Sequence, residues 1–306
     1  MPPMPVKQLP PKAVKLPTTP VPTEGIWSRI KPIGLDWNNV KLNILIYGDT
    51  ASGKTTCWST FPKPILAILC SGGKRKADEL WSIATPENED VIRQVHLDKL
   101  SEITELIDGE VAKHYQTVVI DHLTGFQDVA LREVMGIEHV PEQKKFAFAG
   151  RKEWGKTAEN AKEVLASMLD LDCNIVWTAH EKVFDPKDEE GKKAIIAADG
   201  QVAKAFVGPA LTPALANWVN GAVNFVCQAY TTNKVKVEEI TLGEGDSAVT
   251  QRMETLTNEV DYWLRVEPST IYKSKVRIPR VWLDRLKNIK DPSYQSLMAM
   301  LKGENK

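Results

Sequence analysis

Short apolar runs alternate with stretches of helical periodicity over the first part of the chain. Four of the runs predict strands buried on both faces of a sheet, because they are short and almost wholly apolar. They are residues 42–47, 64–70, 116–120 and 174–179. Between them, apolar residues recur at helical spacing near residues 100–111, 126–134 and 154–171. This alternation predicts an α/β fold with a mainly parallel sheet and helices on both faces.

The pattern changes after about residue 220. Four further runs follow one another with almost no helical stretch between them, at residues 222–230, 234–240, 262–266 and 270–278. Consecutive strands without helical crossovers are typical of antiparallel pairing. We therefore expect a meander that extends the sheet as an antiparallel C-terminal edge.

The N-terminal segment has a composition of its own. Residues 1–25 hold eight prolines, which remove backbone donors and prevent both helix and central strand. We expect residues 1–26 to form a flexible arm, either a plain tail or an arm that docks on a neighbouring subunit or partner. A core over residues 27–285 and a C-terminal helix or tail over 286–306 complete the predicted organisation.

Charge and cysteine usage narrow the classes of protein. With 39 Lys and Arg against 40 Asp and Glu, the net charge is −1, so binding of nucleic acid by bulk charge is excluded and a local basic patch would be needed. The four cysteines form no CxxC pair, and no His stands near them at metal-ligand spacing. They are expected to be reduced, buried thiols of an intracellular protein.

Residues 205–233 contain no charged side chain and could be mistaken for a membrane span. However, Gly208, Pro209 and Pro213 interrupt the segment. Its amide side chains, among them Asn217, Asn220, Asn224 and Gln228, would be costly in lipid. A buried helix followed by a buried strand is the better interpretation. We therefore expect a soluble, cytoplasmic protein without a membrane partner.

One loop carries a complete phosphate-binding pattern. Residues 48–55 satisfy GxxxxGK[ST], and they follow a predicted strand and precede a helix-compatible stretch. Glycine lets the backbone wrap around a phosphate, Lys54 adds a positive charge, and the Thr55 hydroxyl can bind Mg²⁺. ATP and Mg²⁺ are thus the expected cofactors. The predicted nucleotide-binding residues of this loop are Gly48, Asp49, Thr50, Ala51, Ser52, Gly53, Lys54, Thr55 and Thr56.

Asp121 is the matching acid. It follows the apolar residues 118–120, which places its carboxylate at the C-terminal end of the third predicted strand. A strand-end Asp often does no more than cap the next helix. After a phosphate loop, the same position favours a metal site formed by Thr55 and Asp121.

Taken in order with later segments, these motifs resemble the phage RecA-like single-strand annealing ATPases, short relatives of RecA with one core domain. In the AAA+ class and many packaging motors, a catalytic Glu directly follows the metal-binding Asp, whereas His122 follows Asp121 here. The resemblance implies a RecA-like core that assembles into a ring or filament with ATP between subunits. Its matching segments are residues 48–56, 118–122, 151–156, 174–182, 208–211 and 272–277.

The resemblance also implies roles for three polar residues. His180, at the end of the fourth predicted strand, would sense the γ-phosphate. The simpler interpretation is a His that hydrogen-bonds to backbone groups at the end of a helix or loop. Lys273 and Lys275, two residues apart on one side of a strand, would reach the nucleotide of the adjacent subunit. The alternative for the lysines is a solvated face of an edge strand.

The Glu that activates water in RecA-like proteins is absent from its expected place. The second predicted strand should end in this Glu, but Cys70 and Ser71 stand there. Glu79 is the nearest candidate base, although it is expected inside the next helix, and a general base must reach the attacking water. The sequence therefore predicts ATP binding, with slow turnover unless Glu79 folds back.

A basic and aromatic segment is the candidate DNA contact. Residues 139–156 carry five basic and two acidic side chains with three aromatic rings interleaved, a composition suited to holding single strands. The alternative is a solvated helix start with its aromatics in the core. A second loop at residues 184–204 has a net charge of −1 and would order on binding. The predicted DNA-binding residues are Lys144, Lys145, Phe146, Phe148, Arg151 and Lys152.

The function implied is that of an ATP-binding recombinase or annealing protein that binds single-stranded DNA in phage DNA recombination, in the host cytoplasm. A single-strand-binding protein is a candidate partner. One alternative is a motor, helicase, helicase loader or packaging ATPase, which would need a well-placed catalytic carboxylate. Another is a nucleotide-gated scaffold that uses ATP for assembly with little hydrolysis.

Overall fold

The computed structural model describes residues 40–70, 80–137, 149–184, 205–242 and 249–304. The strands are β1 (Asn43–Gly48), β2 (Ile65–Leu69), β3 (Ile92–His96), β4 (Thr117–Asp121), β5 (Asn174–Phe184), β6 (Phe206–Pro209), β7 (Phe225–Leu242), β8 (Val249–Arg265), β9 (Lys275–Val276) and β10 (Ile289–Lys290). The helices are α1 (Lys54–Trp58), α2 (Pro86–Glu89), α3 (Ser101–Asp108), α4 (Val111–His114), α5 (Leu123–Met135), α6 (Arg151–Leu169), α7 (Pro213–Ala222) and α8 (Tyr294–Lys302).

The strands form one sheet in the order β3-β2-β4-β5-β1-β7-β8-β10. The pairs from β3 to β7 are parallel, whereas β8 and β10 add an antiparallel edge. Two short strands lie off this path, β6 beside β5 and β9 beside β7. The predicted fold class is confirmed. Because parallel strands end at the same edge, the ends of β1, β4 and β5 meet there.

The sheet is buried on both faces, which explains its continuous apolar runs. On one face, Leu45 and Trp177 belong to a core that includes Phe126 of α5, Leu165 of α6 and residues of α7. The alternate residues of β1 are buried as well. Both sides of β1 are packed away from water. The phosphate loop therefore begins at the end of a strand that is held firmly in the core.

Most predicted elements of the parallel part are present. The four apolar runs form β1, β2, β4 and β5, and the helices predicted near 126–134 and 154–171 form α5 and α6. The single helix expected over 100–111 is wrong in one respect. It is split into α3 and α4 because Glu110 adopts a left-handed conformation with φ 57°.

The antiparallel part differs more from expectation. The runs 222–230 and 234–240 are one strand, β7, and its partner β8 starts well before residue 262. The strand expected over 270–278 is wrong for most of its length, since only β9 is regular there. At its start, the Ser269 hydroxyl accepts hydrogen bonds from the Ile271 and Tyr272 amides, which makes a turn.

Beyond the end of β1, strands β7 and β8 continue as a two-stranded antiparallel hairpin. We call its described residues, 230–242 and 249–262, the ribbon. The predicted arm at residues 1–26 lies outside the described residues. The four cysteines are free and buried, as expected. Among the helices of the described ranges, none combines the length and the apolar character that crossing a membrane requires.

Candidate functional site

The phosphate loop joins β1 to α1 at the edge where the parallel strands end. It runs from Gly48, the last residue of β1, to Gly53, which adopts a left-handed conformation with φ 85°. A Cβ atom on Gly48 would lie 2.2 Å from the carbonyl oxygen of Ala229 on β7. Glycine is therefore required at both ends of the loop, once for close packing and once for backbone conformation.

Lys54 is buried within this loop, with 9% of its surface exposed. Its Nζ donates hydrogen bonds to the carbonyl oxygens of Gly48 (3.0 Å) and Asp49 (2.6 Å). Burial lowers the pKa of the Lys54 ammonium, and the Asp121 carboxylate opposes this shift. Carbonyl oxygens of the loop itself thus hold the Lys54 ammonium, and a bound phosphate could replace them as its hydrogen-bond partner.

Asp121 lies at the end of β4, and three side chains surround its carboxylate. The indole Nε1 of Trp58 donates to Oδ2 (3.0 Å), and the Thr55 hydroxyl lies 3.4 Å from the same oxygen. The Thr178 hydroxyl donates to Oδ1 (2.6 Å). A carboxylate oxygen has lone pairs left to bind a cation, and two oxygen donors of this kind fit Mg²⁺.

The structure therefore brings the two predicted metal ligands, Thr55 and Asp121, together. Sequence reasoning missed Trp58 and Thr178, although each carried a signal. Trp58 is four residues after Lys54 on α1, and Thr178 is two residues before His180, so both share a face with a predicted site residue. They position the carboxylate of Asp121.

His180 pairs with Gly48 in the register of β5 and β1. Its Nε2 lies 3.1 Å from Nε2 of His122, whose Nδ1 accepts a hydrogen bond from the Gly125 amide. The proton between the two rings consequently belongs to His122, which donates it to His180. Burial, and next the charge of Lys54, lower the pKa of His180. A neutral imidazole thus lies beside the phosphate loop.

The two predicted lysines make contacts within the chain itself. The ammonium of Lys273 lies 4.3 Å from the centre of the Phe206 ring. Burial lowers the pKa of Lys275, which is one residue of the short strand β9. Contact with an adjacent subunit's nucleotide stays a prediction. The Lys275 ammonium donates to three carbonyls at the end of α7, those of Asn220, Gly221 and Val223.

Several predicted residues lie outside the described ranges. They are Glu79, Lys144, Lys145, Phe146 and Phe148. Of the predicted DNA contacts, Arg151 and Lys152 are described, and both are exposed at the start of α6. The described end of β2 reads Leu69-Cys70 and carries no carboxylate.

A network of polar side chains also connects the strands beside His180, and sequence reasoning missed it. Gln228 on β7 donates to the carboxylate of Glu181 (3.0 Å) and accepts from Nε of Arg265 (3.0 Å). The Arg265 guanidinium lies over the rings of Tyr230 and Tyr272. This network links the ends of β5, β7 and β8. Its only signal in the sequence was that Glu181 follows His180.

A comparison with known protein families agrees with the presence of a phosphate loop. A family model described as an AAA domain matches residues 40–277, most of the chain. No curated protein matches. Among solved structures, a KaiC-like protein from the hyperthermophilic archaeon Pyrococcus horikoshii is 12% identical, with 70% of this chain and 84% of that chain covered at a TM-score of 0.34. The chain therefore belongs to the AAA domain family, and its phosphate loop makes it a nucleotide-binding P-loop ATPase.

Proposed function

We propose that the protein is a RecA-like ATPase that binds Mg-ATP between subunits and assembles on single-stranded DNA. It promotes annealing or strand pairing in phage DNA recombination. One observation carries the nucleotide part of the proposal, namely that Lys54, Thr55 and Asp121 converge at a single edge of the sheet. Lys54 would bind the outer phosphates, while Thr55 and Asp121 would hold Mg²⁺.

The start of α6 supports the DNA part. Arg151 and Lys152 are exposed there and can contact phosphates. A cavity of about 630 Å³ between α6 and α7 is lined by Arg151, Trp154 and Lys162. Cations beside an aromatic ring suit a nucleic-acid backbone with a base packed against the ring. Lys144 and Lys145 extend the same basic segment in the sequence.

A nucleotide-gated scaffold with little hydrolysis is the second candidate. It is favoured by the described end of β2, where a carboxylate would be needed to activate water and Cys70 stands instead. A motor, such as a helicase loader, depends on rapid turnover and fits this edge less well. Single-turnover hydrolysis of ATP separates the two, because a scaffold would retain bound ATP through assembly.

Nucleotide binding is tested with Lys54→Ala. Removal of the buried ammonium should abolish ATP binding in titration calorimetry, because the outer phosphates lose their main counter-charge. Circular dichroism should show an unchanged fold. Undiminished ATP binding by this variant would refute the assignment of the phosphate loop.

DNA binding is tested by fluorescence anisotropy of a labelled single-stranded oligonucleotide, with and without Mg-ATP, at two salt concentrations. Arg151/Lys152→Ala and Lys144/Lys145→Ala should weaken binding and reduce its dependence on salt. Lys99/Lys113→Ala removes the same charge elsewhere and serves as the control. An absence of binding in every nucleotide state, or equal losses in the control, would contradict the DNA proposal.

A further inference from the structure

A cavity of about 640 Å³ adjoins the phosphate loop. Its described walls come from the loop with α1, from Ser82, from Tyr262 near the end of β8, and from the turn that joins β10 to α8. Pockets for small molecules have volumes of roughly 300–1,000 Å³, so the cavity is large enough for a nucleotide. The phosphate-binding residues form only part of this described lining, which leaves the other walls for the rest of a ligand.

Among the described residues that line this cavity, Tyr262 is the aromatic one. Its ring lies against Gly53, and a Cβ atom on that glycine would be 2.9 Å from Cδ1 of the tyrosine. The side chain is 39% exposed. Tyr230 and Trp263, at the base of the ribbon, stack on each other, whereas the Tyr262 ring stacks on no aromatic ring of the described residues. An aromatic surface beside the phosphate loop is thus available to a ligand.

The backbone holds this tyrosine in place. The Asp291 amide donates to the Tyr262 carbonyl (2.8 Å), where β10 pairs with β8. Ser293 caps α8, and the amide of Tyr294 donates to the Thr60 hydroxyl just beyond α1 (2.8 Å). The wall formed by β8 and α8 is thereby tied to the segment that follows the phosphate loop. A site fixed in this way loses little entropy when a ligand binds.

We propose that Tyr262 forms the nucleobase subsite of the phosphate loop. The base of a nucleoside triphosphate stacks on the Tyr262 ring while residues 48–55 hold the phosphates, and the turn with Asp291 and Pro292 closes the cavity. This inference rests on the proposed nucleotide binding, and it adds where the base lies. Since every base has a π-face, stacking adds affinity for a nucleotide over bare triphosphate.

The test uses titration calorimetry on the full chain with Mg-ATP and with inorganic tripolyphosphate and Mg²⁺. Tyr262→Ala should weaken ATP binding about tenfold and change tripolyphosphate binding by less than about twofold, because only ATP carries a base. Tyr262→Phe keeps the ring and should stay close to the wild type. Leu256→Ala, an exposed residue of the same strand, is the matched control.

The outcomes separate this inference from the proposed function. If the unaltered chain binds neither ligand, the phosphate loop does not act as assigned and both proposals fail. If it binds both, but Tyr262→Ala weakens neither or weakens both equally, the nucleobase subsite alone is overturned. A selective loss of ATP affinity, rescued by Tyr262→Phe, supports the subsite.

Discussion

The nucleotide edge and the ribbon are built in opposite ways, although β7 belongs to both. Beside β1, residues 225–229 of β7 are all buried, and the buried Gln228 side chain has hydrogen-bond partners. Past Tyr230, the same strand pairs with β8 alone and most of its described side chains face solvent. Val235 and Leu256, opposite each other on the ribbon, are exposed apolar residues.

The difference lies in how each region satisfies its polar groups. At the nucleotide edge, the buried Lys54 and the part-buried Asp121 depend on specific protein partners, because little water is available to them. On the ribbon, Lys234 pairs with Glu259 in full contact with solvent, which weakens the interaction. Substitutions should therefore lower the free energy of unfolding strongly at the nucleotide edge and hardly at all on the ribbon.

The largest expected contrast is between Trp58→Ala and Leu256→Ala. Trp58 is fully buried and donates to Asp121, whereas Leu256 is 68% exposed. Loss of the indole should reduce the free energy of unfolding by about 3–5 kcal/mol through a cavity and an unpaired carboxylate oxygen. Loss of the leucine should change it by less than about 0.5 kcal/mol. Urea denaturation monitored by circular dichroism measures both.

Trp58→Phe provides the control, since it restores most of the volume without the indole donor and should lose less stability than Trp58→Ala. The contrast between the two regions would be contradicted if Leu256→Ala lowered the free energy of unfolding as much as Trp58→Ala. That result would mean that another surface covers the ribbon in solution, and the stability of the unaltered chain would then depend on protein concentration.

A smaller contrast is expected between two glycines. The Cβ atom in Gly48→Ala would meet the Ala229 carbonyl, a backbone atom of a buried strand that cannot move freely. This variant should lose about 1–3 kcal/mol of unfolding free energy. Gly155 is exposed within α6 and has open space around it, so Gly155→Ala should gain roughly 0.5–1 kcal/mol. Thermal unfolding of both variants distinguishes a loss from a gain.

If Gly48→Ala were as stable as the unaltered chain, the close approach of β1 and β7 could not be a constraint on the site. A gain at Gly155 together with a loss at Gly48 would instead show that the requirement for glycine is local to the nucleotide edge. Both substitutions add the same methyl group, so only the surroundings differ.

The sequence predicted the nucleotide edge better than the ribbon, and the reason is physical. The phosphate loop and Asp121 follow strands that are apolar on both faces, and this pattern is specific. The partners of Asp121 come from a helix and a different strand, so the spacing of Trp58 from Lys54 and of Thr178 from His180 indicates a shared face but not the contact with Asp121. Local patterns carry no information about such long-range contacts.

Edge strands left weaker signals. Strand β3 was missed because it pairs on one side only and three of its five residues are exposed, which removes the apolar run. The ribbon was underestimated for the same reason, since its polar residues between 230 and 242 interrupt the apolar pattern. Residues 270–278 have the composition of a strand, but the hydrogen bonds of Ser269 form a turn there instead.

The smallest expected effect concerns pH, and it also separates the two regions. Burial lowers the pKa of His180 below its ordinary value of 6.5. As the pH falls, His180 is therefore protonated at a higher pH in the unfolded chain than in the folded chain. Stability should then fall as the pH decreases below about 6.5, and His180→Gln should reduce this dependence. On the ribbon, the hydrogen bond from Lys234 lowers the pKa of Glu259 below its ordinary value of 4.5.

The Glu259 carboxylate therefore stabilises the fold above about pH 4.5, and its contribution is lost as the pH falls further. Glu259→Gln should leave the profile between pH 7.5 and 5.5 unchanged, while His180→Gln should flatten that interval. Urea denaturation at four pH values in this range, compared between each variant and the unaltered chain, measures the difference. An equal slope in all three proteins would mean that His180 is protonated alike in the folded and unfolded chain. Burial beside Lys54 would then not control its charge.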